Sequence, residues 1–225
     1  MCDTFSDETI KNYEFQRSWQ RVPNAWDTVR DFERCVAEYA GAPYAVAVDS
    51  CTNALLLCLM LHRMRSGKTR VQIPARTYVG VAQAIILSGN VCVFDKYIFQ
   101  GWYHLWNTHV VDSARRFTKG MYMDGTQYCL SFHYAKHLPI GRGGMILLDD
   151  KETAGILRRM RYDGRTEGVK PTNDVFNIPG GHYMMEPEQA ARGLALMHSI
   201  SDHNDDLPND DYADLSQFPM FTEGL

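Results

Sequence analysis

Tyr44-Ala45-Val46-Ala47-Val48-Asp49-Ser50-Cys51-Thr52-Asn53-Ala54-Leu55-Leu56-Leu57-Cys58-Leu59 is the stretch that decides the fold. Five apolar residues run into the polar Asp49-Ser50-Cys51-Thr52, after which residues 54–59 are apolar without a polar face. A short apolar run, a polar turn and a continuous apolar stretch read as strand, turn and buried helix. The pattern returns at residues 70–73, followed by Pro74-Ala75-Arg76-Thr77 and an apolar helix to Leu87 stopped by Gly89, and a strand follows at 91–94. Upstream, Trp26, Val29, Phe32, Val36 and Tyr39 recur at helical spacing, with Asn24 as a cap and Gly41 and Pro43 as the stop. Residues 109–111, 128–130 and 144–148 are further strand candidates, and 151–162 and 187–200 further helices. Alternating strands and helices predict an α/β protein with three layers, a mostly parallel sheet with helices on both faces.

The chain has 225 residues, 45% hydrophobic and 12% aromatic, enough for a packed core and unlike a disordered chain. Its 23 Lys plus Arg against 27 Asp plus Glu give a net charge of −4, which excludes a basic nucleic-acid footprint. Residues 202–225 contain six Asp, one Glu and no Lys or Arg, so the acidity is concentrated there. The expected organisation is a single domain over 1–201, with a helical segment at its N-terminal end, and a solvated acidic tail over 202–225. Six cysteines at 2, 35, 51, 58, 92 and 129 form no C-x-x-C pair and have no histidine at zinc-ligand spacing. Neither a disulfide framework nor a metal site is expected. The first residues lack the basic and apolar parts of a signal peptide, and the longest apolar run, 54–61, is far short of the ~18 residues of a membrane span. The expectation is a cytoplasmic protein with no membrane partner.

In open α/β sheets, ligands bind outside the carboxyl ends of the strands. Those ends carry Ser50 and Thr52, Thr77 and Tyr78, Asp112, and Ser131 with Lys136 close behind. An amine, a carboxylate, an aromatic ring and a helix start are together what pyridoxal phosphate requires. Lys136 could form the Schiff base and Asp112 could hold the pyridine nitrogen protonated. The turn Ser50-Cys51-Thr52 with Ser131 could take the phosphate, and Tyr78 could lie against the ring. Each residue alone has a plainer reading: Lys136 as an exposed lysine, Asp112 as a cap for residues 113–117, Ser50 as a helix cap. Gly141-Arg142-Gly143-Gly144 reads as a turn before a strand as readily as a phosphate loop. His133 and His137 share a helical i, i+4 spacing but have no carboxylate nearby in sequence.

In their order, these blocks resemble the DegT/StrS sugar aminotransferases, fold type I pyridoxal phosphate enzymes. The matching stretches are Phe32-Glu33 through residues 39–55, Ile73-Pro74-Ala75-Arg76-Thr77-Tyr78-Val79, Val111-Asp112-Ser113-Ala114, Ser131-Phe132-His133-Tyr134-Ala135-Lys136 with Gly143-Gly144, and Gly181-His182-Tyr183-Met184-Met185 through Gln189-Ala190-Ala191. The resemblance implies that Lys136 carries the cofactor and moves the substrate proton, that Asp112 pairs with the pyridinium nitrogen, and that Tyr78 stacks on the ring. It places Cys51, Thr52 and Ser131 at the phosphate. Arg115 stands where the family has Gln or His beside the cofactor, and His182 lies in a block that the family extends across a homodimer interface to the neighbouring phosphate. The implied activity is transfer of an amino group, from glutamate, to a nucleotide-linked keto sugar. A pyridoxamine-dependent dehydratase and a degenerate cofactor- or partner-binding paralogue are the alternatives, and the retained lysine favours transamination. The chain resembles the large domain of the family: fifteen residues, 95–109, stand where the family has a further strand and helix, and the small C-terminal domain is largely missing.

Overall fold

The computed structural model describes residues 24–209 and 212–222; the reading of the first residues for a signal peptide falls outside them. Helix α1 (Trp26–Ala40) leads into β1 (Tyr44–Val48), α2 (Cys51–Ser66), β2 (Arg70–Pro74), α3 (Val79–Leu87) and β3 (Val91–Asp95). Then come β4 (Tyr103–His104), β5 (Val110–Asp112), β6 (Gln127–Ser131), β7 (Gly144–Leu148), α4 (Lys151–Met160), α5 (Pro187–Met197) and the short α6 (Pro219–Thr222). Helix α1 ends where expected: Gly41 adopts the left-handed conformation, φ 79°, and its N–H donates to the Ala37 carbonyl.

The strands form one run in the order β1-β7-β6-β5-β4 and a second pair, β2-β3. An isolated antiparallel bridge joins the two, with the Trp106 N–H donating to the Gln72 carbonyl at 3.0 Å. Following the pairings across this bridge, β1, β2, β3, β5 and β6 run in one direction and β4 and β7 in the other. The sheet is thus mixed, and the reversals have a physical cause. Only residues 105–109 separate β4 from β5, too few for the crossover that parallel neighbours need, and the β6–β7 connection carries no helix.

Side chains alternate between the two faces. Ala45, Ala47, Tyr128, Leu130, Met145 and Leu147 pack with α1 and α5. Val46, Val48, Cys129, Ile146 and Leu148 pack with α2, α3 and α4. Helix α2 buries Leu55, Leu56, Leu57 and Leu59 around its circumference, which is why its sequence shows no polar stripe. Each buried leucine contributes about 1.5–3 kcal/mol of transfer free energy. The outer edge of β1 is closed by charge: the Ala47 N–H donates to Glu33, while Arg158 and Arg161 donate to the carbonyls of Ala45 and Ala47. Edge-strand groups that would otherwise invite another chain are so satisfied.

The solvated tail expected from residue 202 is not what forms. Asp206 makes a two-pronged pair with Arg116 (2.7 and 2.6 Å), Asp202 bonds Lys119 at 2.7 Å, and the Leu215 N–H donates to the Ala75 carbonyl. Leu215 and Phe221 enter the core. The acidic side chains find basic partners on the domain, and the apolar residues between them supply burial, so the segment folds back.

Candidate active site

Four loops meet at the carboxyl ends of β1, β2, β5 and β6, the last of them running on to the start of β7. They enclose a cavity of about 500 Å³. Ser50 caps α2, its Oγ accepting from the Asn53 N–H at 3.2 Å, which fixes Cys51 and Thr52 in the first turn. The turn is held from below by Gly144, where a Cβ would come within 2.6 Å of the Cys51 backbone nitrogen. That close approach, not a phosphate loop, accounts for the glycine at the start of β7.

Eight of the nine residues singled out in the sequence line this cavity: Ser50, Cys51, Thr52, Tyr78, Asp112, Arg115, Ser131 and Lys136. His182 does not. It is exposed, with Nδ1 3.3 Å from an Asp163 carboxylate oxygen. Arg115 is buried and engaged by the folded-back segment: Nε donates to the Tyr212 hydroxyl at 3.1 Å and Nη1 to the Pro208 carbonyl. Tyr212 itself joins the cavity wall. Residues 113–117 form no helix, so Asp112 is not a helix cap.

Asp112 ends β5 and is buried. Its Oδ1 accepts from the Ala114 N–H at 2.9 Å and its Oδ2 from the Tyr103 hydroxyl at 3.0 Å. Burial pushes its pKa above the ordinary carboxylate value, opposed by these two hydrogen bonds and by the charges of Lys136 and Arg115. Burial also raises the Cys51 thiol well above its usual value, and its Sγ donates to the Cys129 carbonyl. The Cys51 thiol is therefore neutral and turned to the Cys129 carbonyl. At the mouth, Arg142 is tied to Asp49 at 2.6 Å.

Tyr103 escaped the sequence reading. Trp102-Tyr103-His104-Leu105-Trp106 is aromatic or apolar at every position, so no period-two signal marks the strand or the residue pointing inward.

Residues 10–96 and 120–206 match the DegT/DnrJ/EryC1/StrS aminotransferase family, and the chain belongs to it. The intervening stretch, which holds β4 and β5, lies outside the matched segments. GDP-perosamine synthase of Caulobacter vibrioides is 25% identical over 218 residues, covering 77% of this chain and 57% of that protein. The spore coat polysaccharide biosynthesis protein SpsC of Bacillus subtilis is 24% identical over 253 residues, covering 88% and 64%. The chain thus spans less than two thirds of either relative. The crystal structure of 3-amino-5-hydroxybenzoic acid synthase shares the fold, with a TM-score of 0.69 at 20% identity over 88% of this chain and 62% of that one.

Proposed function

We propose that this protein binds pyridoxal phosphate on Lys136 and transfers an amino group from glutamate to a nucleotide-linked keto sugar. The observation that carries the reading is the convergence on one cavity of an amine, a buried carboxylate, a capped helix start and an aromatic ring. These groups fit the cofactor: the N–H groups of Cys51 and Thr52 with the hydroxyls of Ser50, Thr52 and Ser131 suit its phosphate, Asp112 its ring nitrogen, and Tyr78 its ring face. Bound there, pyridoxal phosphate supplies an electron sink for the carbanion left when a proton leaves the substrate carbon. The Lys136 amine, once displaced by substrate, is the group placed to take that proton and return it. Asp112, anionic, holds a proton on the ring nitrogen, and Arg115 and Tyr212 wall the cavity against water.

The names of two relatives, a GDP-perosamine synthase and a spore coat polysaccharide biosynthesis protein, support a sugar substrate. The exposed position of His182 is compatible with a role across a homodimer interface, where it would reach the partner's phosphate. The expected compartment is the cytoplasm, argued from the cysteine spacing.

The test is two half-reactions on the purified protein. Glutamate alone should bleach the visible band of the lysine-bound cofactor and release 2-oxoglutarate; a keto sugar nucleotide should restore the band and emerge as an amino sugar. Return of a deoxygenated sugar with ammonia would assign a dehydratase instead, and no half-reaction with cofactor bound would leave a binding protein.

A further inference from the structure

Strand β4 is two residues long, yet it delivers one fully enclosed phenol to the site. The Tyr103 hydroxyl lies 3.0 Å from Asp112 Oδ2 and 2.7 Å from Thr77 Oγ1, and both Tyr103 and Thr77 are buried. A phenol has one proton. With that proton given to an ionised carboxylate, the Thr77 hydroxyl donates to the phenol oxygen, and the chain runs Thr77 to Tyr103 to Asp112. With the Ala114 N–H on Oδ1, each carboxylate oxygen then has a donor. With Asp112 ionised, the carboxylate, which accepts and never donates, fixes the direction of every bond in this chain.

We propose that Tyr103, oriented by Thr77, is a positioning residue that holds Asp112 in its anionic form, with its remaining lone pairs left to the cavity. The surroundings make this role necessary. Burial drives Asp112 towards its neutral form; Lys136 and Arg115 oppose that, whereas the Cys51 and Cys129 thiols beside it are neutral and bring no charge. Tyr103 itself stays protonated, since burial and Asp112 both push its pKa up, so it remains a donor at any working pH. Tyr97, the other phenol coupled to Tyr103, is likewise pushed up, to about 12. A neutral Asp112 could not keep a proton on a ring nitrogen, and to that extent the consequence for catalysis rests on the cofactor reading above. The effect on the carboxylate does not. Tyr103 lies in the stretch between the two segments that match the family.

The experiment compares Tyr103→Phe, Thr77→Val and Thr77→Ser. In protein carrying ¹³C-labelled aspartate and no cofactor, the Asp112 side-chain carboxyl is assigned by its loss in Asp112→Asn and titrated by NMR. Losing a hydrogen bond to a charged group should raise the midpoint by about one pH unit in Tyr103→Phe, less in Thr77→Val, and not at all in Thr77→Ser, which restores the donor. With pyridoxal phosphate bound, the acid limb of kcat should move in the same direction. An unmoved midpoint in Tyr103→Phe, with loss of thermal stability alone, makes Tyr103 a packing residue and overturns the proposal. If that variant does not fold, Thr77→Val carries the same test. A midpoint that moves in protein unable to take up pyridoxal phosphate upholds the role of Tyr103 and overturns the cofactor reading instead.

Discussion

Glu33 on α1 and Arg161, just past α4, meet at 2.6 Å with both side chains almost wholly buried. Arg158 bonds the other Glu33 oxygen at 2.9 Å, and Glu167 takes the far side of Arg161 at 2.7 Å. Two helices and the edge of β1 are clamped by this cluster. Removing Glu33 leaves the buried Arg161 with Glu167 as its remaining acid and takes the acid from Arg158, so Glu33→Ala should cost about 3 kcal/mol in urea unfolding. Glu33→Leu combined with Arg161→Met should cost less than the two single changes together; strict additivity would show that the two charges do not act as a pair.

Cys51 is one of the residues that the family resemblance places at the phosphate, and its thiol is turned to the Cys129 carbonyl. On the proposed function, the phosphate contact there would be the backbone N–H. Cys51→Ala is expected to leave cofactor affinity within about threefold, whereas Thr52→Ala and Ser131→Ala, each removing a hydroxyl donor to a charged group, should weaken it about tenfold or more. Equilibrium dialysis of pyridoxal phosphate checks this, and an equal loss in all three variants would return the thiol to the site.

Asp112 gives a pH dependence of definite sign. Its pKa is raised on folding from an ordinary value of 3.8, chiefly by burial. Below that value the carboxyl is neutral in both folded and unfolded chains and contributes nothing; through the window above it, up to the raised value, ionisation becomes a growing penalty on the cofactor-free fold. Thermal unfolding should accordingly show Asp112→Asn gaining on the unsubstituted protein as pH rises from about 4. The same variant should bind cofactor yet abstract the substrate proton far more slowly, since an amide cannot hold the ring nitrogen protonated. Near-normal turnover would reduce Asp112 to a turn residue.

His182 is exposed, beside Asp163. If it completes a partner's phosphate site, the protein sediments as a dimer and His182→Ala loses cofactor faster without a change in unfolding midpoint. A monomer with full cofactor occupancy contradicts both expectations.

The sequence patterning showed those elements whose burial was two-sided or periodic. Residues 44–48 and 144–148 are strands over the expected bounds because every residue in them packs on one face or the other. The convergence of Ser50, Tyr78, Asp112 and Lys136 was readable because a sheet with most strands co-directed must bring its carboxyl ends together. What stayed hidden depended on tertiary partners. Nothing local reveals that Trp106 bridges to Gln72 or that Tyr103 turns towards Asp112. The charge run after residue 201 resembled a solvated tail because Arg116 and Lys119, which receive it, lie more than eighty residues earlier in the chain. His182 was placed by resemblance, and within this chain it stands exposed beside Asp163, away from the cavity.

Lys136 is the centre of the account, and one measurement tests it most directly. Purified protein incubated with pyridoxal phosphate is reduced with borohydride, digested and mapped by mass spectrometry, alongside Lys136→Ala. The expected result is a visible band before reduction, a single pyridoxyl adduct on Lys136, and neither band nor adduct in the variant. An adduct on any other lysine, or an undiminished band in Lys136→Ala, would contradict it.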